Sequence, residues 1–171
     1  PTSISKTSPT TWELGVPLTG TANGAETLTV TVANNAVYDS ANNVSTASNT
    51  ATPNDSAIPT IASTSISTDN STITVTFSEG VFYAASGAGR DTLEASDFSL
   101  SIDPLLGGTA TLASDTPSAI TKLSMTEYEL TVNYSVAEAN TSEVIKVIPA
   151  SANSIYDYAG NAASATQNDT N

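Results

Sequence analysis

Residues 1–57 return, with two single-residue insertions, as residues 117–171, and the segment between them, roughly 58–116, occurs once. At an offset of 116, Pro1, Ile4, Lys6, Ser8, Thr10, Glu13, Leu14 and Val16 recur as Pro117, Ile120, Lys122, Ser124, Thr126, Glu129, Leu130 and Val132, with Trp12 aligned to Tyr128. One residue is gained, and Ala22, Asn23, Glu26 and Val30 recur as Ala139, Asn140, Glu143 and Val147. Another is gained, and Asn35, Tyr38, Asp39, Ala41 and Asn43 recur as Asn153, Tyr156, Asp157, Ala159 and Asn161. A period near 117 residues is too long for a solenoid unit and matches a whole domain. The chain therefore reads as the C-terminal half of one domain (1–53), a linker (54–59) and one complete domain (60–171). It is expected to be a window on a longer array, with further sequence upstream of Pro1.

The patterning is that of strands. Ile73, Val75 and Phe77 alternate with Thr72, Thr74 and Thr76, and Tyr128, Leu130, Val132 and Tyr134 with Glu129, Thr131 and Asn133. Phe98, Leu100 and Ile102 alternate with serines, and Leu28, Val30 and Val32 with threonines. A period of two with one apolar face is the signature of a half-buried strand. Pro149 cannot donate to a ladder, so it is expected to end its strand or lie at an edge. Asp69-Asn70-Ser71 reads as a hairpin turn, and Pro104 with Gly107-Gly108 as another. Thr92–Ser96 is the best candidate for a single helical turn. About eight strands in 60–171 predict an antiparallel β-sandwich. Its expected core is Ile73, Val75, Phe77, Phe98, Leu100, Leu112, Tyr128, Leu130, Val132, Ile145, Val147 and Tyr156.

Composition removes whole classes of chemistry. There is no cysteine and no histidine, so disulfides, thiolate or imidazole metal sites and Ser-His-Asp catalysis are absent. The net charge of −13 repels nucleic-acid phosphates. No apolar run is long enough to insert into a membrane. The acidity fits either a soluble, aggregation-resistant surface or carboxylates that bind a hard cation such as calcium. Paired catalytic carboxylates have no reason to be duplicated with each repeat, so the chain reads as a non-enzyme.

The sharpest motif is Ile155–Asn161, "IYDYAGN", with its first copy at Val37–Asn43. Together with "ITVTF" at 73–77, "SDFSL" at 96–100, "YELTV" at 128–132 and "EVIKVIP" at 143–149, it resembles the bacterial Ig-like tandem repeats of very large surface and secreted proteins. That resemblance implies Ig-like sandwiches in tandem and a structural role outside the cell or at its surface, as stalk, sheath, surface-layer or filament material. An adhesin or carbohydrate-binding role through sandwich loops such as 84–97 is the alternative. The implied partners are neighbouring repeats or subunits of the same protein, through strand or end-to-end contacts.

Two readings of the Asp-x-Ala-Gly-Asn loop compete. In one it is a turn, with Asp157 accepting backbone N–H groups, Gly160 supplying a positive φ and Tyr156 anchoring the strand in the core. In the first copy Asn42 stands where the second has Gly160, and Asn is the residue next best suited to left-handed geometry. In the other reading Asp157 and Asn161, Asp39 and Asn43, and linker Asp55 supply oxygens to calcium, which takes six to eight of them. Asp91, Glu94 and Asp97 read as a solvated loop. Lys122, repeated from Lys6, reads as an ordinary surface lysine rather than half of a staple to Asn161. The half-domain 1–57 presents Trp12, Leu14, Val16, Leu28, Val30, Val32 and Tyr38 with no sheet of its own to cover them.

Overall fold

The computed structural model describes residues 1–86, 91–104, 108–136 and 143–167. The turn residue Gly107, the repeat partners Ala139 and Asn140, and the segment Asn168-Asp169-Thr170 lie outside them. The chain separates into two compact units, Pro1–Ala57 and Ile58–Asn171, the division falling inside the predicted linker. Both are built from antiparallel strands, and among the described residues no sheet closes on itself.

The first unit holds two hairpins. Strands β1 (Ser3–Lys6) and β2 (Trp12–Gly15) form one, and β3 (Leu28–Thr31) and β4 (Ser48–Ala51) the other. None of its residues is fully buried.

The second unit holds eight strands among its described residues. A four-stranded sheet runs in the order β5 (Ile61–Ile66), β6 (Thr72–Phe77), β10 (Glu127–Thr131), β9 (Ala119–Lys122). Strand β7 (Phe98–Pro104) pairs with β12 (Glu143–Pro149), and β8 (Thr111–Leu112) with β11 (Tyr134–Val136). The Thr/apolar alternation of β6 becomes a strict alternation of half-buried threonines with buried Ile73, Val75 and Phe77. Strand β12 ends on Pro149 as its missing N–H requires, although Pro149 itself is buried.

One core collects side chains from the four-stranded sheet and from the β7–β12 pair. Ile73, Val75, Phe77, Tyr128 and Leu130 come from the first, and Phe98, Leu100, Ile145 and Val147 from the second. Phe77 packs against Phe98 at 6.2 Å between centroids and meets Tyr128 edge-on at 6.3 Å. Burying each such side chain stabilises the fold by roughly 1.5–3 kcal/mol. The Tyr128 hydroxyl donates to the Val81 carbonyl at 3.3 Å, so this aromatic adds no unpaired polar atom. Burial pushes that phenol's pKa upward.

Three expectations are corrected in detail. Tyr156 is not a core residue: Ile155 and Asp157 on either side are fully buried, so strand parity turns Tyr156 outward, where its hydroxyl donates to Asn153 Oδ1. Leu112 is half-buried and packs against the core rather than within it. The helical turn is a 3₁₀ turn at Ala95–Asp97, later than Thr92–Ser96, with Leu93 buried ahead of it. A capping box sets that start: Asp97 Oδ2 accepts the Glu94 N–H at 2.8 Å.

Candidate functional site

The repeated Asp-to-Asn loop forms twice, with the same bonds from Asn to Asp in both copies and a different third donor, Gly160 in the second and Ala41 in the first. In the second unit Asp157 Oδ1 accepts the N–H groups of Gly160 at 2.6 Å and Asn161 at 2.8 Å, and Oδ2 accepts Asn161 Nδ2–H at 2.7 Å. In the first unit Asp39 Oδ1 accepts the N–H groups of Ala41 and Asn43, both at 2.8 Å, and Oδ2 accepts Asn43 Nδ2–H at 2.9 Å. The flanking backbone repeats as well. Asp157 N–H donates to the Asn161 carbonyl, and Asp39 N–H to that of Asn43, each at 3.0 Å. Ala163 N–H donates to Ile155 and Ser45 N–H to Val37, each at 2.9 Å. The loop's own amides thus engage both oxygens of each carboxylate, as the turn reading requires.

Backbone dihedrals explain the Gly/Asn exchange. Gly160 has φ +95° and Asn42 φ +71°, so both copies need the left-handed region. They differ in surroundings. A Cβ on Gly160 would stand 3.0 Å from the carbonyl oxygen of Ala85, a residue of the segment that occurs once in the sequence.

The two aspartates differ in environment. Asp157 is fully buried, whereas Asp39 is exposed. The hydrogen bond from the Asn43 side chain, with those from the Asn43 and Ala41 amides, holds the Asp39 carboxyl below its ordinary pKa. A carboxylate oxygen of Glu79 lies within 4.8 Å of one on Asp157. Local sequence carried no signal of Glu79, because it approaches through the fold from just beyond β6. Asp157 and Asn161 are therefore brought together, as are Asp39 and Asn43. Asp55 accepts the Ala57 N–H at 3.1 Å and lies 3.2 Å from where a Cβ on Gly24 would stand.

The remaining candidates resolve into structural roles. Asp97 closes its capping box, and burial raises its pKa. Lys122 is exposed and its Nζ lies 3.3 Å from Met125 Sδ, while the Asn161 amide is held by Asp157. An aromatic cluster was missed: Phe82 meets Tyr158 edge-on at 6.1 Å, and Tyr158 is 72% exposed. Among the described residues no helix is long and apolar enough to cross a membrane. Comparison with protein-family models, curated proteins and solved structures found no match.

Proposed function

We propose that the chain is a structural repeat module, built as tandem Ig-like sandwiches, of an extracellular surface protein or filament. One observation carries the reading: what recurs between the two copies is scaffold. The β1–β2 hairpin pairs Lys6 with Trp12, Ser5 with Glu13, Ile4 with Leu14 and Ser3 with Gly15. The β9–β10 hairpin pairs Lys122 with Tyr128, Thr121 with Glu129, Ile120 with Leu130 and Ala119 with Thr131, the same register 116 residues later. Its turn repeats too, with Ser8 and Ser124 each donating N–H to the carbonyl across the turn and accepting the N–H two residues on. Selection for a spacer preserves register and turn chemistry, while selection for a reaction preserves a reactive group in a cleft.

Immunogold labelling of intact and permeabilised source cells with antibody to residues 60–171 tests this reading. Label on the outer face of intact cells is expected; label confined to the interior of permeabilised cells refutes it.

A second reading, glycan binding by the second unit, is favoured by Tyr158 at 72% exposure beside Phe82, with Tyr83 also 43% exposed. Such rings offer sugars a stacking face. Binding of an oligosaccharide array that disappears on Tyr158→Ala would establish it. Calcium bound at Asp157 and Asn161 is a third reading, with Glu79 as an added carboxylate.

A further inference from the structure

The two units show one half-fold with and without its cover. In the second unit β10 has β9 on one edge and β6 on the other, with Tyr128 opposite Val75 and Leu130 opposite Ile73. There β12 lies beside β7, with Ile145 opposite Ile102 and Val147 opposite Leu100. In the first unit, β2 pairs among the described residues with β1 alone and β3 with β4 alone. The edges that β6 and β7 occupy in the second unit are open in the first. Solvent exposure follows. Trp12 is 54% exposed where Tyr128 is 0%, and Val30 is 48% exposed where Val147 is 1%. Between the two hairpins lies a groove of about 630 Å³, lined by Ile4, Trp12, Leu14, Val30, Val32 and Tyr38 among others.

Open strand edges beside a contiguous apolar face are the features that recruit further strands. We propose that residues 1–57 are a docking face for a polypeptide segment with the strand pattern of residues 60–104 of this chain. One strand like β6 adds beside β2, and one like β7 adds beside β3. The second unit supplies the register: a valine at the position of Val75 faces Trp12, an isoleucine at that of Ile73 faces Leu14, and residues equivalent to Ile102 and Leu100 face Leu28 and Val30. Size complementarity favours this occupant: a segment of this pattern sets a small valine against the large ring, as Val75 stands against Tyr128 in the second unit. Strand β6, "TITVTF", is itself uncharged, so its own edge adds no like charge to the face, and the acidic residues of the segment lie outside that strand. The inference rests on the modular reading above but not on cellular location, so surface labelling and the following assay fail independently.

Trp12 is the single tryptophan of the chain and lies on the face in question, which makes it the reporter. The full chain is titrated with a synthetic peptide of residues 60–104. A one-to-one complex, a shift of Trp12 emission to shorter wavelength and a several-fold loss of acrylamide quenching are expected. A scrambled peptide, or one carrying Val75→Asp, should produce none of these. A second polypeptide, with residues 58–116 joined ahead of Pro1, removes dependence on peptide solubility and should be monomeric with a shielded Trp12. Retained quenching in that fusion overturns the proposal. So does a chain that sediments alone as a dimer with Trp12 already shielded, which would assign the face to a second copy.

Discussion

Removing the Asp157 carboxylate should destabilise the second unit strongly, whether or not calcium is present. Asp157→Ala deletes an acceptor that holds three donors at 2.6–2.8 Å: two backbone amides and the Asn161 side chain. Hydrogen bonds to a charged acceptor contribute about 1.5–3 kcal/mol each, and a donor left buried costs about 1–3 kcal/mol. Simple addition would overstate the loss, because Gly160 and Asn161 are half-buried and their freed amides can reach water. A net loss of about 3–4 kcal/mol follows, a large share of the roughly 5–15 kcal/mol that holds a domain together. At about 100 residues that lowers the melting temperature by roughly 10–20 °C. Asp157→Asn keeps one acceptor oxygen, and the Asn161 amide can turn its own oxygen toward the new NH2 group, so about 1–2 kcal/mol is expected. Asp39→Ala, which removes the same bonds from an exposed loop, should leave the main unfolding transition unmoved. Urea denaturation followed by near-ultraviolet circular dichroism, in chelator and in millimolar calcium, measures all three. If Asp157→Ala unfolds within about 1 kcal/mol of the parent in chelator and differs only when calcium is added, the carboxylate serves the ion and the turn account fails.

Three further outcomes are expected. Gly160→Ala should cost about 2 kcal/mol, from positive φ and from the Cβ meeting the Ala85 oxygen; Gly160→Asn should lose stability as well, while Asn42→Gly should not, and thermal melts of the three variants test that contrast. Tyr128→Ala should cost about 3–5 kcal/mol in urea denaturation, whereas Trp12→Ala at the equivalent register position should leave the same transition unchanged. On acidification two of the perturbed carboxylates, Asp69 and Asp97, act in opposite directions. Hydrogen bonds from Ser67 and then Ser71 lower the Asp69 pKa from 3.8 to about 2, so its contribution is present above the ordinary carboxylate range and is lost as the pH falls toward about 2. Burial raises the Asp97 pKa, so the fold penalises its ionised form and gains stability as pH falls through that raised value toward 3.8. Stability measured against pH should therefore lose its steepest acid limb in Asp69→Asn and its mildly acidic rise in Asp97→Asn.

Short-range chemistry was legible in the sequence, and long-range packing only in part. Alternation sufficed for β6, β7 and β10, because a period of two states which face is buried without reference to a partner, and β12 followed as the repeat of the Leu28–Val32 run. The Asp69-Asn70-Ser71 hairpin was equally local: Asn70 takes φ +60° and Asp69 Oδ1 binds Ser67 and Ser71 on either side. The Asn42-for-Gly160 exchange was read from conformational preference alone, since both residues tolerate positive φ. Tyr156 was misplaced because composition favours an aromatic over an aspartate in the core, yet the turn's hydrogen bonds keep Asp157 buried and parity then turns Tyr156 outward. Val81, Leu93 and Ala163, all buried, sit outside alternating runs and had no period to betray them. Glu79 and the Phe82–Tyr158 contact reach their partners only through the tertiary fold. The repeat carried the farthest inference. Residues 1–57 repeat the strands of 117–171 while the segment 58–116 occurs once in the sequence, and at one shared register position Tyr128 is 0% exposed and Trp12 54%. Local sequence can set identical strands in both copies, but whether their apolar faces are covered is decided by residues that only one copy has within this chain.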